Sequence, residues 1–244
     1  MPNWVRTKFE LNGTKENLDA VLDKILSEDR EYEGRKTFLF NNFYPMPEDL
    51  AIECGSTGMR GVKLYTKFYD FCITTGIFTE KEFSADPYCE KVKDAELKLR
   101  SFFEYDPAEM QLGKKYYLNK KKYGFETWYE WSIAHWGCKW DASTLDIDID
   151  GGVARIEIET PWSPPLQAFM KMNEICKEHN VSFGGIFSDE DIYSVDGTGA
   201  FAFHPDGHCD IETGEGLGRQ VWKDIIMDIW GVDMDEPADE EDDE

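Results

Sequence analysis

The sequence predicts an α+β fold, and three features carry that reading. Residues 145–159 alternate between apolar and charged side chains on either side of Gly151-Gly152, the mark of an antiparallel hairpin. Leu18, Val21, Leu22, Ile25 and Leu26 recur at helical spacing ahead of it, and Leu166, Phe169, Met170, Met172, Asn173, Ile175 and Cys176 do so behind it. Strands and helices therefore alternate around an antiparallel pair, which separates this chain from all-α and all-β classes.

Residues 3–11 are strand-like through Trp4, Val5, Thr7, Phe9 and Leu11. Asn12-Gly13-Thr14 ends that strand and caps a helix expected over about 15–28, followed by a polar turn through Gly34. Residues 37–43 are too short and aromatic for a helix, and Pro45 and Pro47 close them. From 61 to about 136 the pattern is mostly helical, with breaks at Asp86-Pro87, Asp106-Pro107 and Gly124. The basic cluster Lys114, Lys115, Lys120, Lys121 and Lys122 near its end reads as solvated helix ends.

A two-residue turn at Gly151-Gly152 sets Ile147 opposite Ile156 and Leu145 opposite Ile158. It also sets Asp148 opposite Arg155, and Asp146 opposite Glu157, a like-charge pair that is mildly destabilising. One face of the hairpin is core and the other acidic. Beyond it, Pro161 to Pro165 open a helix to about residue 179, and 181–187 and 192–203 read as strands. Val221, Trp222, Ile225, Ile226, Ile229 and Trp230 form an amphipathic helix that runs into the tail, 233–244, with nine acids in twelve residues.

Charge is the most directional functional feature. Residues 141–244 hold 27 acids against five bases, so that half carries −22 of the net −24. Packing like charge together costs self-repulsion, and folding does not require it; it points to a positively charged partner rather than to direct contact with nucleic acid. Residues i and i+2 of a strand lie about 6.8 Å apart, near the spacing of successive phosphates, so Asp146, Asp148 and Asp150 form a phosphate-like row. Glu157, Glu159, Asp189, Glu190 and Asp191 extend this expected partner-binding surface, with Trp222 and Trp230 as apolar anchors. The competing reading makes the acidity a device for solubility alone.

No apolar run reaches the length needed to cross a bilayer, and the first residues lack a signal-peptide core, so a soluble, cytoplasmic protein without a membrane partner is expected. Six scattered cysteines without a C-x-x-C pair argue for reduced, mostly buried thiols. Neither catalytic residues nor cofactors are assigned. His204, His208, Cys209 and Asp210 have the chemistry of metal ligands, but Pro205-Asp206-Gly207 reads first as a turn joining two strands. Asp146, Asp148 and Glu157 have the chemistry to chelate a hard cation, which keeps a metal-dependent hydrolase or nuclease as an alternative. His135 reads as a core or interface histidine, and Gly214 to Gly218 lack the lysine that ends a phosphate loop. A structural or assembly role is the third function class.

Four stretches carry a family resemblance: Met1-Pro2-Asn3-Trp4; Phe40 through Leu50; Trp128-Tyr129-Glu130-Trp131 with His135 through Ala142; and Thr160 through Pro165. In this order they resemble the YubB-type ferredoxin-like family of phages and plasmids, over roughly residues 1–50 and 123–205. Departures are Cys138 in place of a usual threonine, the long helical insertion and the C-terminal extension. The resemblance implies a ferredoxin-like sandwich, an antiparallel sheet with helices on one face, in a mobile-element protein without established catalytic residues. The expected organisation is a ferredoxin-like domain from 1–50 and 137–215, a helical insertion over 51–136, a C-terminal helix over 216–232 and an acidic tail over 233–244. The expected function is that of a non-enzymatic inhibitor or nucleic-acid mimic that docks on a basic, nucleic-acid-binding surface of a bacterial host complex.

Overall fold

The computed structural model describes residues 3–29, 32–103 and 106–235. In chain order the elements are β1 (Trp4–Asn12), α1 (Lys15–Ile25), β2 (Leu26–Glu28), β3 (Lys36–Phe38), α2 (Phe40–Phe43), α3 (Ser56–Thr74), α4 (Glu80–Ala85), α5 (Glu90–Phe103) and α6 (Pro107–Tyr123). There follow α7 (Trp128–His135), β4 (Ser143–Asp150), β5 (Val153–Pro161), α8 (Leu166–Glu178), β6 (Ser182–Asp189), β7 (Thr198–Phe203), β8 (Cys209–Thr213) and α9 (Arg219–Trp230). The chain divides into two compact units, one of Met1–Pro45 with Ser132–Glu244 and one of Met46–Trp131.

The first unit is a six-stranded antiparallel sheet in the order β4-β5-β1-β6-β7-β8, with β2 and β3 as a separate pair. Odd-numbered Val5, Thr7, Phe9 and Leu11 of β1 are buried, as strand alternation demands. They face α1, through Leu18, Val21, Leu22 and Ile25, and α8, where Phe169 meets Phe9 at 5.0 Å and Phe201 at 5.0 Å. The even-numbered face is also covered in part. The main-chain carbonyls of Ile229 and Asp228 on α9 accept from Arg6 and Lys8, and Ile225 and Ile229 pack with Ile186 and Ala200. Helices α1 and α8 share one face of the sheet, and the C-terminal amphipathic helix α9 packs on the opposite face, its apolar stripe against Ile186 and Ala200.

Several local readings change. The first helix stops at Ile25, not 28, because Leu26 turns extended and pairs with Phe38. Residues 40–43 are helical after all, for one turn. The Asp141 carboxylate accepts from the backbone N–H groups of Phe40 at 2.6 Å and Asn41 at 3.2 Å, a cap supplied from 100 residues away. The hairpin register holds from Asp146 to Asp150, but a bulge after Thr144 puts Thr144, not Leu145, opposite Ile158. Gly151, with φ 61°, occupies a turn position that only glycine fills without strain. The stretch expected as a strand over 192–203 is extended only from Thr198.

The second unit buries Tyr65, Phe68, Tyr69, Phe78, Phe83, Val92 and Met110 in its own core. Its breaks follow from local chemistry: Thr79 and Glu82 form a reciprocal cap on α4, Asp106 caps α6 with Pro107 in its first turn, and Gly124 ends α6 in the left-handed conformation. Helices α3 and α6 cross at Gly61 and Gly113, where backbone approaches backbone. Lys114 departs from the expectation of solvated helix ends: it is 1% exposed and pairs with Glu96 at 2.7 Å. No helix among the described residues is long and apolar enough to cross a membrane. Of the six cysteines, Cys72, Cys138 and Cys176 are buried, whereas Cys54 and Cys209 are exposed.

Candidate functional site

Strand pairing aligns the outer face of the sheet into rows. One row reads Asp146, Glu157, Lys8, Ile186, Ala200, Glu212, and the next Asp148, Arg155, Glu10, Gly184, Ala202, Asp210. Helix α9 covers the Ile186 and Ala200 side. Gly184 contributes no side chain beside it, so a groove of about 550 Å³ opens along the sheet face. It is lined by five acids, Glu10, Asp146, Asp148, Glu157 and Asp228, against two bases, Lys8 and Arg155.

Arg155 and Arg6 each serve two acids, and Lys8 serves one. Arg155 reaches Glu10 at 3.0 Å and Asp148 at 3.3 Å, Lys8 reaches Asp228 at 3.0 Å, and just beyond the groove Arg6 reaches Glu159 at 2.9 Å and Glu157 at 3.6 Å. Arg6 thereby relieves the like-charge contact between Asp146 and Glu157. Asp146 and Asp150 have no ion-pair partner among the described residues. Exposed pairs of this kind contribute about 0–1 kcal/mol each, so they orient the carboxylates more than they stabilise the fold. The surplus of acid over base leaves a negative field in a concave site, where field lines concentrate.

The expected acidic surface is thus gathered only in part. Asp146, Asp148 and Glu157 line the groove, and Glu159 lies on the same face but is tied to Arg6. Asp150 is at the hairpin tip. Asp189, Glu190 and Asp191 lie at the end of β6, where Asp189 falls in register with buried Val5 on the opposite face. Burial, with Asp191 and Glu190 close by, raises the pKa of Asp189 above its ordinary 3.8, and its Oδ1 has no hydrogen-bond partner.

Such a group holds its proton longer in the folded than in the unfolded chain, so its ionised form costs stability at neutral pH. That cost is relieved as the pH falls through the raised value. Asp189→Asn is expected to raise the urea midpoint at pH 7 and to lose that advantage as the pH approaches 3.8. A midpoint unchanged at both pH values would show that the carboxyl is solvated.

The two tryptophans are also placed differently from expectation. Trp222 is 8% exposed, and the ring of Trp230 stacks on the Arg6 guanidinium at 4.7 Å. Trp222 lies with Val195, Gly214 and Glu215, and Trp230 packs beside Ile225 and Ile229, which leaves little of either ring open where apolar anchors were expected. Glu10 and Asp228 are the acids that sequence reasoning passed over. Glu10 shares the parity of Arg6 and Lys8 and was legible in that alternation, whereas Asp228 enters only because α9 crosses the sheet.

The other constellations carry less. His204 to His208 form the turn expected of Pro-Asp-Gly, with Gly207 N–H donating to the His204 carbonyl at 2.9 Å and Gly207 at φ 93°. Both imidazoles approach the single Asp210 carboxylate, at 3.4 and 3.0 Å. Among the described residues no group of three or more His, Cys, Asp or Glu side chains is arranged to hold a metal ion. His135 packs edge-on against Tyr44 at 5.4 Å.

No family model matches the chain, and no curated protein matches it. Among solved structures, the chain is similar to a protein api92 from Yersinia pseudotuberculosis, assigned to the family model DUF1281. The identity is 11%, the TM-score 0.41, and the match covers 87% of this chain and 98% of that one. A likeness of that degree carries no argument about function.

Proposed function

We propose that this chain is a non-enzymatic acidic binding protein whose sheet-face groove receives a basic segment of a partner protein. The observation that carries the reading is the set of five carboxylates and two bases lining one concavity. A lysine or arginine side chain entering it gains charge-assisted hydrogen bonds from Asp146, Asp148 and Asp228, which backbone pairing and α9 already hold in place. The fold we propose is ferredoxin-like. Its support is the β-α-β-β-α-β order of β1, α1, β4, β5, α8 and β6, with β4-β5-β1-β6 adjacent in that sequence and every pair antiparallel. The resemblance to YubB-type proteins of phages and plasmids favours a partner in a bacterial host. Mimicry of nucleic acid favours a partner surface that binds DNA or RNA.

Affinity capture from a bacterial lysate tests this reading. At about 0.05 M salt the full chain is expected to retain a basic protein and to release it by about 0.3 M, because screening shortens the reach of the field. Asp146→Lys with Asp228→Lys is expected to abolish capture, while Asp94→Lys in the helical unit leaves it intact. Retention that ignores both salt and the groove reversals would refute the proposal.

A further inference from the structure

The helical unit holds a second concavity, a cleft of about 690 Å³ bounded by α6, by the connection from α4 to α5, and by the turn at Glu48–Leu50. That size suits a small organic ligand. Lys115, Leu118, Asn119 and Lys122 fall on one face of α6, so two ammonium groups flank Leu118 and Asn119 across about 10 Å. Phe83, Pro87 and Tyr88 form the facing wall. Asn119 is 5% exposed, and its amide donates to the carbonyls of Asp49 at 2.9 Å and Glu126 at 3.1 Å. That side of the cleft is therefore fixed.

Charge gives the cleft a direction. Lys122 is engaged by Asp49 at 2.9 Å, which neutralises that end. Lys121 is held by the rings of Tyr69 and Tyr117 at 4.7 and 5.2 Å, with Glu80 at 3.4 Å. Lys115, at the other end, has no hydrogen-bond or ion-pair partner among the described residues. Behind the wall, the buried Lys114 ammonium lies 4.5 Å from the ring of Tyr88, which is itself 48% exposed. A cation against one face of a ring draws density from it and leaves the open face suited to an electron-rich partner ring. We infer that this cleft binds a planar aromatic anion, its ring stacked on Tyr88 over Leu118 and its carboxylate, sulfonate or phosphate at Lys115.

Two dyes of one shape test this on the full chain: 8-anilinonaphthalene-1-sulfonate and its uncharged parent, N-phenyl-1-naphthylamine. The sulfonate is expected to bind saturably at one site and at least about tenfold more tightly than the neutral dye. Lys115→Gln and Tyr88→Ala, each with a native circular dichroism spectrum and melting profile, are expected to weaken it about fivefold or more; Lys15→Gln in the sheet unit is not. Bound sulfonate is also expected to slow amide exchange along 115–122. Equal affinity for both dyes, no saturable binding, or affinity that Lys115→Gln and Tyr88→Ala leave unchanged would overturn the assignment.

Discussion

Replacing Lys114 by methionine is expected to lower the stability of the helical unit by ~3–5 kcal/mol. The ammonium is nearly sealed from solvent and meets Glu96 Oε1 at 2.7 Å, while Tyr65 donates to the same oxygen at 3.3 Å and Gln111 to the other at 3.4 Å. Without the lysine, the carboxylate loses its opposite charge in an apolar core, and the neutral donors Tyr65 and Gln111 do not replace that charge. The buried carboxylate also holds the Tyr65 hydroxyl in its protonated form, burial acting first and Glu96 second. The companion substitution Glu96→Leu on the Lys114→Met background is expected to restore most of the loss, because removing both charges removes the desolvation cost of each. Amide exchange across α3 to α6 in a urea series measures both. A single-variant loss below ~1 kcal/mol would mean that water reaches Glu96.

Gly113→Ala is expected to cost about 3 kcal/mol, although alanine is the better helix former by roughly 1 kcal/mol. A Cβ on Gly113 would sit 2.1 Å from the Gly61 carbonyl atoms and 2.7 Å from the Val62 nitrogen. Those neighbours are backbone of α3 and have no rotamer by which to yield, so the two helices must separate along their crossing. Gly61→Ala meets the Glu109 carbonyl at 2.3 Å and is expected to behave alike. By contrast Gly124, at the C-cap of α6 with open space around it, is limited by its φ of 80° and not by packing. Thermal unfolding of the three alanine variants separates the cases: the crossing variants lose the most, and an unchanged melting temperature for Gly113→Ala would contradict the tight crossing.

The acidic groove and the cationic cleft place opposite chemistry in two separate units. Residues 46–131 hold 13 bases against 15 acids, and the remainder of the chain 13 against 35. The asymmetry that the composition displays is thus a property of the sheet unit. The tail adds to it, although residues 236–244 lie outside the described residues.

Much of the fold was legible because its signals are local. The alternation around Gly151-Gly152 specifies the register of Asp146 to Asp150 with β5, and Asp86-Pro87, Asp106-Pro107 and Gly124 mark helix ends by their own backbone preferences. The errors arose where a distant group decided. Residues 40–43 are helical because Asp141 caps them, and the extended turn of Leu26 depends on Phe38. Trp222 and Trp230 read as anchors on a helical wheel, and the tertiary structure buries Trp222 and stacks Trp230 on Arg6. Half of the candidate site followed the same rule: the parity of β4 and β5 put Asp146, Asp148 and Glu157 on one face without further information.

The sequence by itself determined most element types, the hairpin register from Asp146 to Asp150 and the sign of the surface, since periodicity, caps and charge are properties of neighbours along the chain. Only the tertiary structure decided which carboxylates share a groove, that Lys114 is buried rather than solvated, and that α9 closes the second face of the sheet. Those outcomes depend on which strands and helices become neighbours in space. Contacts such as Lys8 with Asp228, 220 residues apart, leave no periodic trace in the chain.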